Sequence, residues 1–387
     1  MGDELNHMIS DVKFYNSEDI VARIHFLTKL EEAAPYHHRS GGNYWTRIQE
    51  SLASFPPEHR YGALALFGSV VYLPDMLLDE TVSTLAADIG DICSASNISL
   101  PGEAHVFAVD HPGLLDLLYD RGEKHGWTGR LDQSLQRNIR TVQDMLRLAG
   151  AVLAPKPDEA RVQELRDLLH KRMWVLLTDK ALSGGSVKSD ATRLDAIREL
   201  SCAGSRPAVL VAAQVLTVRA LEELKGVGSG EPLGGLLFDS QFSINSEDCG
   251  LFRNSSTLEA VRRFCDWFGT KFFGIEFFGR PWLPKGARRS DFRPTVERHR
   301  SLGGLANFAY GWRDCGFTIV CEDNAPTNSV PVLWYPTVGM KPDLFLREAV
   351  FPRNDSRPRQ AASGATTLET RVARGGTRLR RTLWGSS

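Results

Sequence analysis

The chemistry this chain could perform is concentrated in residues 174–190, WVLLTDKALSGGSVKSD. The apolar run Trp174-Val175-Leu176-Leu177 leads to an acid, Asp179. A small polar turn, Ser183-Gly184-Gly185-Ser186, follows, and after it an amphipathic stretch. Strand, loop and helix N-terminus in that order gather backbone N–H groups where they can hold a phosphate. The hydroxyls of Ser183 and Ser186 add donors, and the two glycines permit close backbone approach and positive φ. Asp179 stands where a carboxylate could meet sugar hydroxyls, and Lys180 and Lys188 could offset phosphate charge. The same order is also an ordinary α/β connection, with Asp179 a solvated residue ahead of a helix and both lysines in solvent.

Such residues need elements to position them. HVFAV at 105–109 reads as a buried strand ending at Asp110-His111-Pro112-Gly113. Leu131, Leu135, Ile139, Val142 and Met145 fall at helical spacing, and a second helix starting near Asp158 carries Val162, Leu165 and Leu168. The strand 173–178 comes next, then the loop and a helix with Leu194, Ile197 and Leu200. Residues 208–213 form another apolar strand, and Thr217 can cap a helix running to Leu224. After a Gly/Ser linker (226–235), GLLF at 235–238 is a third short strand, ending at Asp239. Strands alternating with helices predict a parallel α/β sheet covered on both faces. Ligands of such sheets bind at the carboxyl ends of the strands, where Asp110, Asp179 and Asp239 all fall. Asp110 and His111 are therefore site candidates as well as a plain strand-ending turn.

The first 98 residues read as helical. Ile20, Ile24 and Leu27 share a face behind a Ser17 cap. Trp45, Ile48, Leu52 and Phe55 make a stripe stopped by Pro56-Pro57. Leu64, Phe67 and Val71 give a third face, and Leu77, Val82 and Leu85 a fourth. In the C-terminal part, Ser256 with Glu259 predicts a capping box for a helix bearing Leu258, Val261, Phe264 and Phe268, ended by Gly269. Residues 264–313 interleave aromatics with Arg280, Arg288, Arg289, Arg293, Arg298 and Arg300. That mixture suits either a core helix and hairpin or a nucleic-acid surface. Beyond Pro352 the chain turns to Arg, Gly, Ser and Thr, a composition that predicts disorder. The expected division is 1–98, 99–245, 246–353 and 354–387.

Three landmarks in order carry a family resemblance: LLTDKALSGGSVKSD, then AVLVAAQVLT, then NAPTNSVPVLW at 324–334. Together they resemble the phosphoribosyltransferase-like domain of bacterial biological-conflict systems, PRTase-CE, over roughly 100–350. The resemblance implies a phosphoribosyltransferase-like α/β core with a helical N-terminal region and an aromatic-rich C-terminal extension. It implies a loop at Ser183, Gly184, Gly185 and Ser186 that binds the 5′-phosphate of PRPP. Asp179 would act on the ribose, with Lys180 and Asp110 nearby. Mg²⁺ would accompany PRPP if the protein is active. The family pattern places two adjacent acids before the loop; here Thr178 takes the first place and only Asp179 remains.

The composition bounds the alternatives. A net charge of −1 gives no whole-chain basic field to hold nucleic acid, so such contact needs a local patch such as 264–313. The longest apolar stretch, 62–73, falls short of the ~20 residues of a membrane span. Six cysteines without a CxxC pair, and an opening without signal-peptide features, predict free thiols and a cytoplasmic location. GxxxxGK[ST], GxSxG and a strand-end GxGxxG do not occur, which excludes P-loop, α/β-hydrolase and dinucleotide fingerprints. His37-His38 are adjacent, and neighbours in sequence do not converge on a metal. Three functions stand: an effector or sensor of bacterial defence that handles PRPP or a ribose phosphate, a non-catalytic nucleotide-binding module, and a nucleic-acid-binding adaptor. Its protein partners are not legible.

Overall fold

A computed structural model describes residues 19–37, 42–100, 102–109, 112–127, 139–154, 156–201, 206–269, 309–311, 315–323, 325–326, 329–333 and 344–345. These pack as two compact units. One takes the described residues up to Leu78 and those from Phe238 onward; the other is Asp79–Leu237.

The second unit is built on a four-stranded sheet of β2 (Ala104–Ala108), β3 (Met173–Ala181), β4 (Ala208–Thr217) and β5 (Leu233–Phe238), in that spatial order. β2, β3 and β4 are mutually parallel, with Val106 opposite Val175 and Leu176 opposite Val211. Alternation along β3 divides the core in two. Trp174 and Leu176 pack on one face with Val162, Leu165 and Leu194, while Met173, Val175 and Leu177 pack on the other with Val82, Leu85 and Leu118. Both faces being covered, the strands are apolar over most of their length, as a buried parallel sheet favours. Trp174 is fully buried, and its indole N–H donates to the Leu168 carbonyl at 3.0 Å.

Helices fill both layers. The second face is covered from α4 (Asp75–Ala95) and α5 (Gly113–Lys124), and the first from α6 (Val142–Val152), α7 (Glu159–Leu169), α8 (Gly185–Arg198) and α9 (Val218–Glu223). Two expectations needed correction here. Ile139 lies outside a helix, because Thr141 and Asp144 form a reciprocal capping box that starts α6 at Val142; Leu131 and Leu135 are outside the described residues. α5 was not anticipated, although Leu114, Leu115, Leu118 and Tyr119 bury one of its faces.

In the first unit, α1 (Ile20–Ala33), α2 (Tyr44–Ser54) and α3 (Pro57–Gly68) pack with α10 (Ser255–Phe268) around Ile24, Ile48, Phe67 and Phe264. The caps differ from those predicted. Asp19 caps α1, whereas Ser17 lies outside the described residues, and Asn254 rather than Ser256 caps α10 by accepting the Ser256 N–H. Val71 is not helical: α3 ends at Gly68, and β1 (Val71–Leu73) pairs in parallel with β6 (Ile319–Cys321). The Val-Val-Tyr-Leu run favours a strand over a further helical turn.

Gly62 lets α3 and α10 approach closely, since a Cβ there would lie 2.3 Å from the Ala260 carbonyl oxygen. Gly62→Ala should gain ~1 kcal/mol of helix propensity but lose more to overpacking, ~1–3 kcal/mol. A lowered urea midpoint is expected; a raised one would mean that the crossing relaxes at little cost.

Candidate functional site

The site is assembled at the loop end of β3. Strand pairing runs further than the apolar pattern predicted, with Lys180 opposite Val215 and Ala181 opposite Leu216, so Asp179 sits within the strand rather than beyond it. Thr178 is buried, and its hydroxyl lies 3.4 Å from Asp179 Oδ1. Asp179 Oδ1 also accepts the Lys180 N–H at 2.7 Å, and the Lys180 ammonium lies 3.1 Å from Asp179 Oδ2. Both side chains are about one-seventh exposed, at 16% and 13%, so this pair is screened less than one on an open surface.

The chain then turns through Leu182 and Ser183 into α8. Gly184 is the N-cap, with φ +69°, a left-handed conformation that glycine adopts without strain. A Cβ at Gly184 would come within 3.1 Å of the Ala220 carbonyl oxygen and 3.2 Å of Glu223 Cβ. No side chain caps the helix. An α-helix leaves its first N–H groups without internal acceptors, so Gly185, Ser186 and Val187 present theirs at the positive end of the macrodipole. Ser183 and Gly185 are partly exposed and Ser186 is exposed, while Gly184 is buried. The loop is bent and reachable.

Thr217, predicted only as a helix cap, has two tasks. It accepts the Ala220 N–H at 3.1 Å, capping α9, and its hydroxyl donates to the Leu182 carbonyl at 2.7 Å. The loop after β3 is thereby tied to the end of β4. Lys188 lies 3.1 Å from Glu223 Oε1, at a half-exposed position. Asp110 and His111 are outside the described residues. Beside that turn, Arg140 donates to the Pro112 carbonyl and pairs with Asp116, both at 2.7 Å. Arg140 therefore brings a cation to the loop end of β2. Nothing in its local pattern marked it, because the helix was expected to run through it. Asp239 caps a 3₁₀ turn, Ser240–Phe242, by accepting the Gln241 N–H at 2.9 Å.

Of the Arg/aromatic segment, the described aromatics are packing residues. Phe264 and Phe268 are buried, and Trp267 stacks on His59 with ring centroids 4.3 Å apart. Arg280 through Arg300 lie outside the described residues, as do Asn324, Asn328, Trp334 and the tail. Cys93, Cys249, Cys265, Cys315 and Cys321 are free thiols, and burial pushes the Cys93 thiol up to about 11. No helix among the described residues is long and apolar enough to cross a membrane.

A parallel sheet, an acid near the end of the β3 pairing and a glycine turn opening a helix are consistent with a phosphoribosyltransferase-like α/β core. The family model for PRTase-CE matches residues 133–353, more than half of the chain, and the chain belongs to that family. No curated protein and no solved structure matches it.

Proposed function

We propose that this protein binds PRPP, or a related ribose phosphate or nucleotide, and serves as an effector or sensor in bacterial defence. The phosphate sits on the N–H groups at the start of α8 with the hydroxyls of Ser183 and Ser186, and the ribose lies toward Asp179. The observation that carries this reading is the uncapped helix start behind left-handed Gly184, beside a strand-end carboxylate. The defence role rests on the family resemblance.

Mg²⁺ fits this site as an ion brought in by PRPP. The end of β3 offers one carboxylate, already 3.1 Å from an ammonium, and Mg²⁺ commonly relies on substrate phosphates and water. Bound there, it would neutralise charge on the pyrophosphate leaving group. Thr178 contributes a hydroxyl where the family pattern has an acid, and Lys180 already occupies one oxygen of Asp179. Both features favour a second reading, a nucleotide-binding regulatory module without turnover.

Thermal shift separates the cases. PRPP with Mg²⁺ at 100 times its Kd should stabilise the protein by ~2.7 kcal/mol. Asp179→Asn should reduce the stabilisation by PRPP while leaving that by inorganic phosphate largely intact. Pyrophosphate release with a candidate base assigns a transferase; binding without release assigns the module. Stabilisation by none of PRPP, AMP or phosphate would overturn the ligand assignment.

A further inference from the structure

Three residues remote in sequence converge in the first unit. The ligand atoms of His37, Asp75 and Glu322 all lie within 4.8 Å of one another. His37 Nε2 is 3.6 Å from Asp75 Oδ2 and 3.7 Å from Glu322 Oε1. We propose that these residues form a divalent transition-metal site of one imidazole and two carboxylates, with Zn²⁺ as the matching ion.

The distances are those of ion pairs too long for direct hydrogen bonds, with room for an ion between the groups. A charge-assisted hydrogen bond between imidazolium and carboxylate closes to ~2.7–2.9 Å, and 3.6–3.7 Å is beyond hydrogen-bond range. Ligand atoms ~2.0–2.2 Å from a tetrahedral zinc are separated by roughly 3.3–3.6 Å. The two distances from His37 need to close by only a few tenths of an ångström, and the two carboxylates, whose oxygens lie within 4.8 Å of one another, must draw together around the ion. An imidazole nitrogen beside carboxylate oxygens suits zinc better than magnesium or calcium, which prefer oxygen alone. Three protein ligands leave a position for water or an anionic group.

The backbone holds the three residues in place before any ion arrives. Glu322 donates its N–H to the Leu73 carbonyl at 2.9 Å, continuing the β1–β6 pairing, and its own carbonyl accepts the His37 N–H at 2.9 Å. The second carboxylate oxygen, Oε2, accepts the Asp75 N–H at 2.8 Å, which leaves Oε1 directed at His37. Such outer hydrogen bonds fix a ligand's orientation and tune its affinity. The His37 and Asp75 side chains are 50% and 46% exposed and that of Glu322 is 15% exposed, so an ion can enter from solvent. Burial chiefly, then the carboxylates of Glu322, Glu31 and Asp75, raise the Tyr72 phenol well above its usual value. A bound cation would offset their repulsion and tie the chain after α1, the start of α4 and the end of β6 together.

The test uses the full chain, stripped with chelator and desalted, titrated calorimetrically with ZnCl2. Wild type should take one equivalent at this site. His37→Asn and Asp75→Asn should each weaken it at least ~10-fold, and zinc X-ray absorption should show nitrogen and oxygen but no sulfur. Both substitutions fall at half-exposed side chains, so circular dichroism of each apo variant should match wild type; if one does not fold, the other decides. Absence of saturable binding, sulfur ligation, or wild-type affinity in a folded variant would overturn the assignment. So would Mg²⁺ binding more tightly than Zn²⁺.

Discussion

Glu31→Ala is expected to destabilise the protein by ~3–5 kcal/mol, the usual result of stranding one partner of a buried ion pair. Arg47 Nη2 lies 2.6 Å from Glu31 Oε1, with side chains 1% and 2% exposed. Arg47 also donates to the Gly42 carbonyl at 2.8 Å, and its guanidinium lies 5.9 Å from the ring centroids of both Tyr44 and Phe345. Removing the carboxylate leaves a guanidinium among aromatic rings with no compensating charge. Replacing both residues by Leu and Met should recover much of the loss, because the desolvation cost disappears with the charges. Urea unfolding of the two single variants and the double variant measures this. A single-variant loss below 1 kcal/mol would show that water reaches the pair.

Gly184→Val should cost ~2–3 kcal/mol and abolish stabilisation by phosphate. A left-handed conformation costs an L-residue ~1–2 kcal/mol, and the new Cβ and methyls would crowd Ala220 and Glu223. Relieving that contact swings the start of α8 away from the end of β3. Gly184→Asn is the control, since asparagine visits this conformation more readily; it should keep more stability than valine. Equal phosphate-induced shifts in wild type and valine variant would mean that the anion does not use this turn.

The sheet was legible because burial on both faces makes strands uniformly apolar, as at Trp174-Val175-Leu176-Leu177 and 208–213. Their true ends were not. Asp179 and Lys180 break the apolar run, yet main-chain pairing to Val215 continues beneath them. The loop was legible because Gly184 has little alternative at φ +69°. Thr217's bond to Leu182 was not, since a contact across 35 residues leaves no local trace. His37 shows the same limit from the other side. Adjacent His38 offered no convergent geometry, and the partners Asp75 and Glu322 came together only through the β1–β6 pairing.

That pairing also sets an order of events during synthesis. Asp75 and Glu322 are 247 positions apart, so at ~5–20 residues per second the ribosome needs roughly 12–50 seconds between them. The parallel sheet can close on itself during that interval, whereas Ile24, Phe67 and Tyr72 wait for a strand still untranslated. Nascent chains halted before Cys321 should therefore carry a protease-resistant sheet alongside an amino-terminal segment, up to Leu78, that proteases still cut.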